Sequence, residues 1–284
     1  LILMMEILEY SKIKKILIPT NKNPLMKKGI DFITKIFPDA EYYLVGVVDI
    51  SGESLLLYSS YSAEYLDILE TLEKEAINEA VEILKSKNSK IVDSVLLRGY
   101  PSKTILNYAS KNEINLILLT TSSKVGSEQI KLGSTAKIII EKSKIPILLI
   151  TPFSKCNEVK SILNPTSGSK YSFRASMLSI NFAKHFNAKV KMLHLEKIKN
   201  IKMLNIIKEY ASNLNVELSI EEVINENLVH RIVEESKAHD LMIASRGRRG
   251  FAYKFRYFSP ELALGRLERE VIELSSVPIM LVNE

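Results

Sequence analysis

Lys15-Ile16-Leu17-Ile18-Pro19-Thr20 returns later in the chain as Ser161-Ile162-Leu163-Asn164-Pro165-Thr166. In the same order, Lys144-Ile145-Pro146-Ile147-Leu148-Leu149-Ile150 returns as Ser276-Val277-Pro278-Ile279-Met280-Leu281-Val282. Two segments that recur in order mark an internal duplication, and each pair bounds one copy. Pro19 and Pro165 are 146 residues apart, whereas Pro146 and Pro278 are 132 apart. Copy two is therefore shorter, lacking most of the segment 50–65.

Between these ends the hydrophobic pattern alternates. In copy one, β-branched runs at 13–18, 42–48, 91–97, 115–120 and 146–150 predict strands buried on both faces. Helical stretches separate them. The clearest is 64–86, where Leu69, Leu72, Ala76, Ala80 and Ile83 recur at helical spacing, and another opens at Pro101, favourable in a first turn. Copy two predicts strands near 158–163, 189–195, 216–223, 240–244 and 277–282, with helices near 170–186, 200–213, 227–237 and 265–275. Such alternation implies an α/β fold with parallel strands, right-handed crossovers and helices on both faces. Ligands in such sheets bind beyond the carboxyl ends of the strands. The domains are expected at 11–152 and 157–284.

Bulk properties fit this reading. The 284 residues suffice for two cores of about 100–150 residues each. Apolar residues at 46% and charged residues at 25% describe an ordinary globular chain. A net charge of +6, from 39 basic and 33 acidic residues, is too mild to indicate nucleic-acid binding by the whole molecule. Leu1-Ile2-Leu3-Met4-Met5 breaks off at Glu6 without a basic leader or a small-residue cleavage site, so neither an export signal nor a membrane span is expected. The single cysteine, Cys156, fits a reducing, cytoplasmic setting. His185, His194, His230 and His239 lack zinc-type spacing, and no metal is expected. His194 is expected to be structural, and His230 and His239 to be exposed. No nucleophile, base and orienter stand out, so no catalytic residue is assigned.

After the fourth strand, copy one reads Thr120-Thr121-Ser122-Ser123-Lys124-Val125-Gly126, followed by Gly133-Ser134, with Pro146 thirteen residues after Gly133. Copy two reads Ala244-Ser245-Arg246-Gly247-Arg248-Arg249-Gly250, followed by Gly265-Arg266, with Pro278 again thirteen later. With the Ile-Pro-Thr opening and Arg98-Gly99-Tyr100-Pro101, this arrangement resembles the universal stress protein family, whose phosphate loop follows Gly-x2-Gly-x9-Gly-Ser/Thr. The resemblance implies two tandem adenine-nucleotide-hydrolase-like, Rossmann-like domains, each a five-stranded parallel sheet of order 3-2-1-4-5. It also implies that the last strands of the two copies pair into a pseudo-dimer; a homodimer of two chains is a further expectation that the sequence does not establish. The physical basis of the loop is plain: glycines let backbone N–H groups approach phosphate oxygens, and a helix N-terminus adds a favourable dipole. Ser134 suits either a ligand hydroxyl contact or a helix N-cap.

The chain departs from that pattern. The aspartate that follows the first strand in nucleotide-binding members is Asn21 in copy one and Ser167 in copy two. Thr120 and Ser123 replace the first two glycines in copy one, leaving Gly126, Gly133 and Ser134. Copy two keeps Gly247, Gly250 and Gly265 but has Ala244 for the first glycine, Arg266 for the hydroxyl residue, and about eight extra residues before Gly265. The candidate ligand positions are thus Asn21, Ser123, Gly126, Gly133 and Ser134 in copy one. In copy two they are Ser167, Ser245, Arg246, Gly247, Arg248, Gly250, Gly265 and Arg266, and copy two is the better preserved.

The lengthened loop of copy two alternates arginine and lysine with Phe251, Tyr253, Phe255 and Tyr257. Packing, a nucleotide lid and nucleic-acid contact each fit that pattern. Ser167-Gly168-Ser169-Lys170-Tyr171-Ser172 reads as a loop leading into a helix. The resemblance implies a non-catalytic stress-response protein that binds ATP, AMP or another phosphate-bearing ligand. The rival readings are a ligand-free interaction scaffold and nucleic-acid binding through 246–266.

Overall fold

The computed structural model describes residues 9–50, 62–121, 132–170, 172–195, 200–224, 227–246 and 266–283. The chain divides into two compact units, residues 13–145 and residues 1–12 with 146–284.

In the first unit the elements run β1 Lys15–Pro19, α1 Leu25–Ile36, β2 Glu41–Asp49, α2 Ser62–Ser86, β3 Lys90–Gly99, α3 Pro101–Lys111, β4 Leu116–Thr120 and α4 Ser134–Lys142. β1 pairs in parallel with β2 and β4, and β2 pairs in parallel with β3. Ile16, Leu17 and Ile18 are all buried, because helices cover both faces of a parallel sheet. α2 buries Ala76, Ile77, Ala80 and Leu84. Its apolar stripe is therefore rotated from the expected one: Leu72 is exposed and Ile83 only half-buried.

The second unit contains β5 Ile147–Ile150, β6 Ser161–Thr166, α5 Phe173–Phe186, β7 Lys189–His194, α6 Ile201–Asn213, β8 Leu218–Glu222, α7 Leu228–Ser236, β9 Leu241–Arg246, α8 Arg266–Leu274 and β10 Ile279–Asn283. β6 pairs in parallel with β7 and β9, β7 with β8, and β9 with β10. β5, the last strand of copy one, lies in this unit and pairs antiparallel with β10, Leu149 opposite Ile279 and Ile147 opposite Leu281. Tyr10 also belongs here, stacked on His185 with ring centres 3.7 Å apart and set edge-on to Phe182 and Phe186. The fold is α/β, with two tandem five-stranded sheets of order 3-2-1-4-5.

Side-chain devices repeat with the strands. Asn115 Oδ1 accepts from the backbone N–H groups of Lys14 and Lys15 at 3.1 and 3.0 Å, tying the start of β4 to β1. Asp240 Oδ2 accepts from those of Lys160 and Ser161 at 3.0 and 2.9 Å, tying β9 to β6. Ser143 Oγ donates to Ile145 O just before Pro146, and Ser275 Oγ donates to Val277 O just before Pro278. Burial corrects one expectation: His239 is buried, its Nδ1 2.8 Å from Glu235 O, whereas His230 is exposed.

Candidate functional site

In the first unit the carboxyl ends of β1, β2 and β4 border an open cleft of about 260 Å³. Pro19, Thr20 and Asn21 form one wall, Val45 and Val47 of β2 and Ile105 of α3 another. Leu119, Thr120 and the first turn of α4 close the third side. The described lining carries hydroxyls, one amide and apolar groups, and no charged side chain.

The start of α4 supplies the polarity. Gly133, not Ser134, is its N-cap, and a glycine brings no side chain to cap the helix. Ser134 is the first helical residue, so its expected capping role is not taken up. The first intrahelical bond runs from Lys137 N to Gly133 O at 2.9 Å. The N–H groups before it point out of the helix end with no acid in the first turn to balance the dipole. Thr20 adds a second polar feature: it is buried in the cleft wall, and its Oγ1 has no hydrogen-bond partner among the described residues. A buried hydroxyl without a partner costs about 1–3 kcal/mol, so its persistence at a cleft marks a place for an incoming partner.

Asn23 holds this geometry, and the sequence reading passed over it in favour of Asn21. Its Nδ2 donates to Thr121 O at 2.8 Å and to Thr120 Oγ1 at 3.2 Å, while its Oδ1 accepts from Leu25 N at 2.9 Å. The loop after β1 is thus pinned to the end of β4 and to the opening of α1. Asn21 stays exposed at the rim. A polar residue two places before a helix was the available signal.

The matching loop of copy two is closed upon itself. Thr166 corresponds to Thr20, yet its Oγ1 accepts from Gly168 N at 3.2 Å and donates to Ser172 Oγ at 2.8 Å. Ser167 Oγ donates to Ser169 Oγ at 3.0 Å, and Ser172 Oγ donates to Ser169 O at 3.0 Å. His194, buried at the end of β7, packs directly beneath Gly168. The space left beside it, about 10 Å³, suits one water.

Of the other positions singled out, Ser123, Gly126, Gly247, Arg248, Gly250 and Gly265 lie outside the described residues, as does the segment 247–265. Arg266 begins α8. Ser245 is buried near the end of β9, its Oγ without a partner among the described residues. Arg246 donates to Asn283 Oδ1, from Nε at 2.9 Å. Strand pairing also moves one correspondence: Leu17 faces Ile117, and its counterpart Leu163 faces Met242. Thr120 therefore matches Ser245 rather than Ala244.

Two further groups carry unusual electrostatics. Arg231 and then Lys191, by hydrogen bonds, hold the Glu221 carboxyl below the usual carboxylate range, in a network that includes Glu235. It joins β7, β8 and α7. Burial pushes Glu73 of α2 up to about 7. Among the described residues, no group of three or more His, Cys, Asp or Glu is placed to hold a metal, and no helix is long and apolar enough to cross a membrane.

Comparison with known proteins agrees with this architecture. A universal stress protein of Methanocaldococcus jannaschii is 33% identical over 141 residues, 48% of this chain and 81% of the relative. The crystal structure of a universal stress protein from Archaeoglobus fulgidus superposes with a TM-score of 0.73 at 15% identity, covering 95% of this chain and 96% of the other. A Pseudomonas aeruginosa protein of unknown function gives 0.62 at 12% identity over 96% and 93% of the two chains. The profile of the universal stress protein family matches residues 12–151. The chain belongs to the universal stress protein family.

Proposed function

We propose that this protein is a non-catalytic, ligand-responsive stress protein that binds one phosphate-bearing nucleotide per chain, in the cleft of copy one. The carrying observation is the start of α4, with its glycine N-cap, opening onto a cleft whose Thr20 hydroxyl has no partner among the described residues. The N–H groups of Ser134, Thr135 and Ala136 take the phosphate, aided by the Ser134 and Thr135 hydroxyls. Val45, Val47, Ile105 and Leu119 enclose the apolar faces of the base, and Thr20 and Asn21 bond its polar edge or the ribose. The described walls enclose about 260 Å³, a little below the usual range of about 300–1,000 Å³ for ligand sites, so AMP is the first nucleotide to test. Family membership supports a non-catalytic role, since universal stress proteins are typically non-catalytic.

Copy two contributes structure under this reading, because its Thr166 hydroxyl and its loop are already satisfied. Cytoplasmic residence and association of two chains belong to the same proposal, the latter checked by light scattering. The decisive test is mass-spectrometric identification and counting of small molecules released when freshly purified protein is denatured. One nucleotide equivalent per chain, lost in Gly133→Val, is expected. Two equivalents would give copy two a working site. None, with no calorimetric response to AMP or ATP, would leave the scaffold reading.

A further inference from the structure

Gly46 sits in β2 between Val45 and Val47, the two residues through which this strand walls the cleft. Side chains alternate along a strand, so Gly46 faces the other way, toward α2. A Cβ at this position would lie 2.9 Å from Ile77 Cδ1 and 3.3 Å from Glu73 Oε2. The absent side chain leaves a notch, and the Glu73 carboxyl with Ile77 fills it. Glu73 Oε2 is buried without a hydrogen-bond partner among the described residues, an arrangement that suits a neutral carboxyl and opposes a carboxylate.

Several of the surrounding charges are paired with one another. On α2, Glu70 is engaged by Arg98 of β3 and by Lys74, and Glu75 pairs with Lys22 from the loop after β1. On α1, Asp31 pairs with Lys87, while Lys27, Lys28 and Lys35 complete its charged groups. On the strands, Glu41 pairs with Lys90 and Asp93 accepts from Tyr108, leaving Asp49 at the end of β2. Burial alone accounts for the raised Glu73 value of about 7.

Copy two shows that the place itself is built to be polar. Pro19 faces Val45 and Pro165 faces Leu193, so Gly46 corresponds to His194. The left-handed residues Asn88 and Asn215 end the two matching helices, which aligns Glu73 with Asn200. His194 and Asn200 both line the small copy-two pocket. Each copy thus sets a polar side chain behind the strand that walls its cleft; only in copy one is that group a titratable acid supplied by the helix.

We infer that protonation of Glu73 regulates the copy-one cleft: the neutral carboxyl stays in the Gly46 notch and braces Val45-Gly46-Val47 from behind, and the carboxylate leaves it and loosens that wall. The inference rests on the ligand reading above.

The test is AMP affinity by calorimetry at about pH 6 and about pH 8, in the wild-type protein and in Glu73→Gln, which keeps a neutral group in the notch. Comparing the two proteins cancels titration of the AMP phosphate. The wild type should weaken about fivefold more than Glu73→Gln as pH rises; identical pH dependence overturns the proposal. Amide hydrogen exchange at Val45–Val47 and along α2, corrected for intrinsic rates, separates the two readings. Exchange that quickens with pH only in the wild type, without AMP binding at either pH, sinks the ligand reading and leaves the notch switch standing; unchanged exchange sinks the switch. Should Glu73→Gln not fold, carbon-13 titration of the wild-type Glu73 carboxyl decides, and a midpoint near the ordinary glutamate value overturns the inference.

Discussion

Gly168→Ala tests whether copy two has sealed its own loop. Gly168 has φ of +65°, in the left-handed region, where an alanine costs about 1–2 kcal/mol. Its Cβ would also fall 2.0 Å from His194 Nε2 and 2.9 Å from His194 Cε1. His194 is only 4% exposed, so its ring cannot swing aside without disturbing the pocket formed by Thr166, Ser172 and Asn200. Overpacking of this kind costs about 1–3 kcal/mol, giving about 2–5 kcal/mol in all. Urea unfolding followed by circular dichroism measures the loss, with His194→Ala and the double variant completing a cycle. His194→Ala removes the obstruction but not the backbone strain, so the double variant should be more stable than the summed single effects predict, by about 1–3 kcal/mol. AMP stoichiometry should stay at one, because the copy-one cleft lies in the other unit. A Gly168→Ala protein within about 0.5 kcal/mol of wild type would refute the packing argument.

Thr20→Val replaces an unpartnered buried hydroxyl by a methyl group; the ligand-free protein should gain up to about 1 kcal/mol while AMP affinity drops, as thermal shifts with and without AMP will record. Asn115→Ala and Asp240→Ala each strip the acceptor from two backbone N–H groups and should cost about 1–3 kcal/mol, the aspartate more because its bonds are charge-assisted, as urea midpoints will show. Stability should also depend on pH through Glu73. Below 4.5 both folded and unfolded chains hold its proton; between 4.5 and about 7 only the folded chain does, so stability falls as pH rises through this window and then levels. After allowance for solvent screening the fall is about 1–2 kcal/mol, and Glu73→Gln should flatten it in melts across the window.

The strands were legible because burial on both faces forces continuous apolar runs such as Ile16-Leu17-Ile18, and the repeat supplied their order. Helix faces were less so. In α2 the expected stripe through Leu72 and Ile83 gave way to one through Ile77, Ala80 and Leu84, because alanines at 76 and 80 fit either of two adjacent helix faces and do not fix which one packs. The site was half legible. Asn21, Gly133 and Ser134 do line the cleft, but the geometry rests on Asn23, whose bonds span residues about a hundred positions apart. Glu73 did carry a signal: an acid at a core-facing position, three residues before Ala76 and four before Ile77. Nothing local reveals that the matching glycine, Gly46, lies beneath it.

The two copies separate what the fold needs from what a site needs. Asn115 and Asp240, and likewise Ser143 and Ser275, satisfy backbone groups at strand starts and before Pro146 and Pro278, and both copies keep them because the sheet cannot close with those groups unpaired. Thr20 and Thr166 are the same residue at the same strand end with opposite uses. In copy two Gly168 N–H and Ser172 Oγ, further along the loop, satisfy the hydroxyl, and His194, at the position of Gly46, packs beneath Gly168 on the face turned away from the cleft side of the sheet. In copy one no described residue bonds the Thr20 hydroxyl, the helix start opposite has a glycine N-cap, and the described walls leave a cleft between them. Under the proposed reading, the loop hydroxyls of copy two serve internal hydrogen bonds while the Thr20 hydroxyl of copy one has no described partner, and that contrast is why the cleft of copy one is the place to look for the ligand.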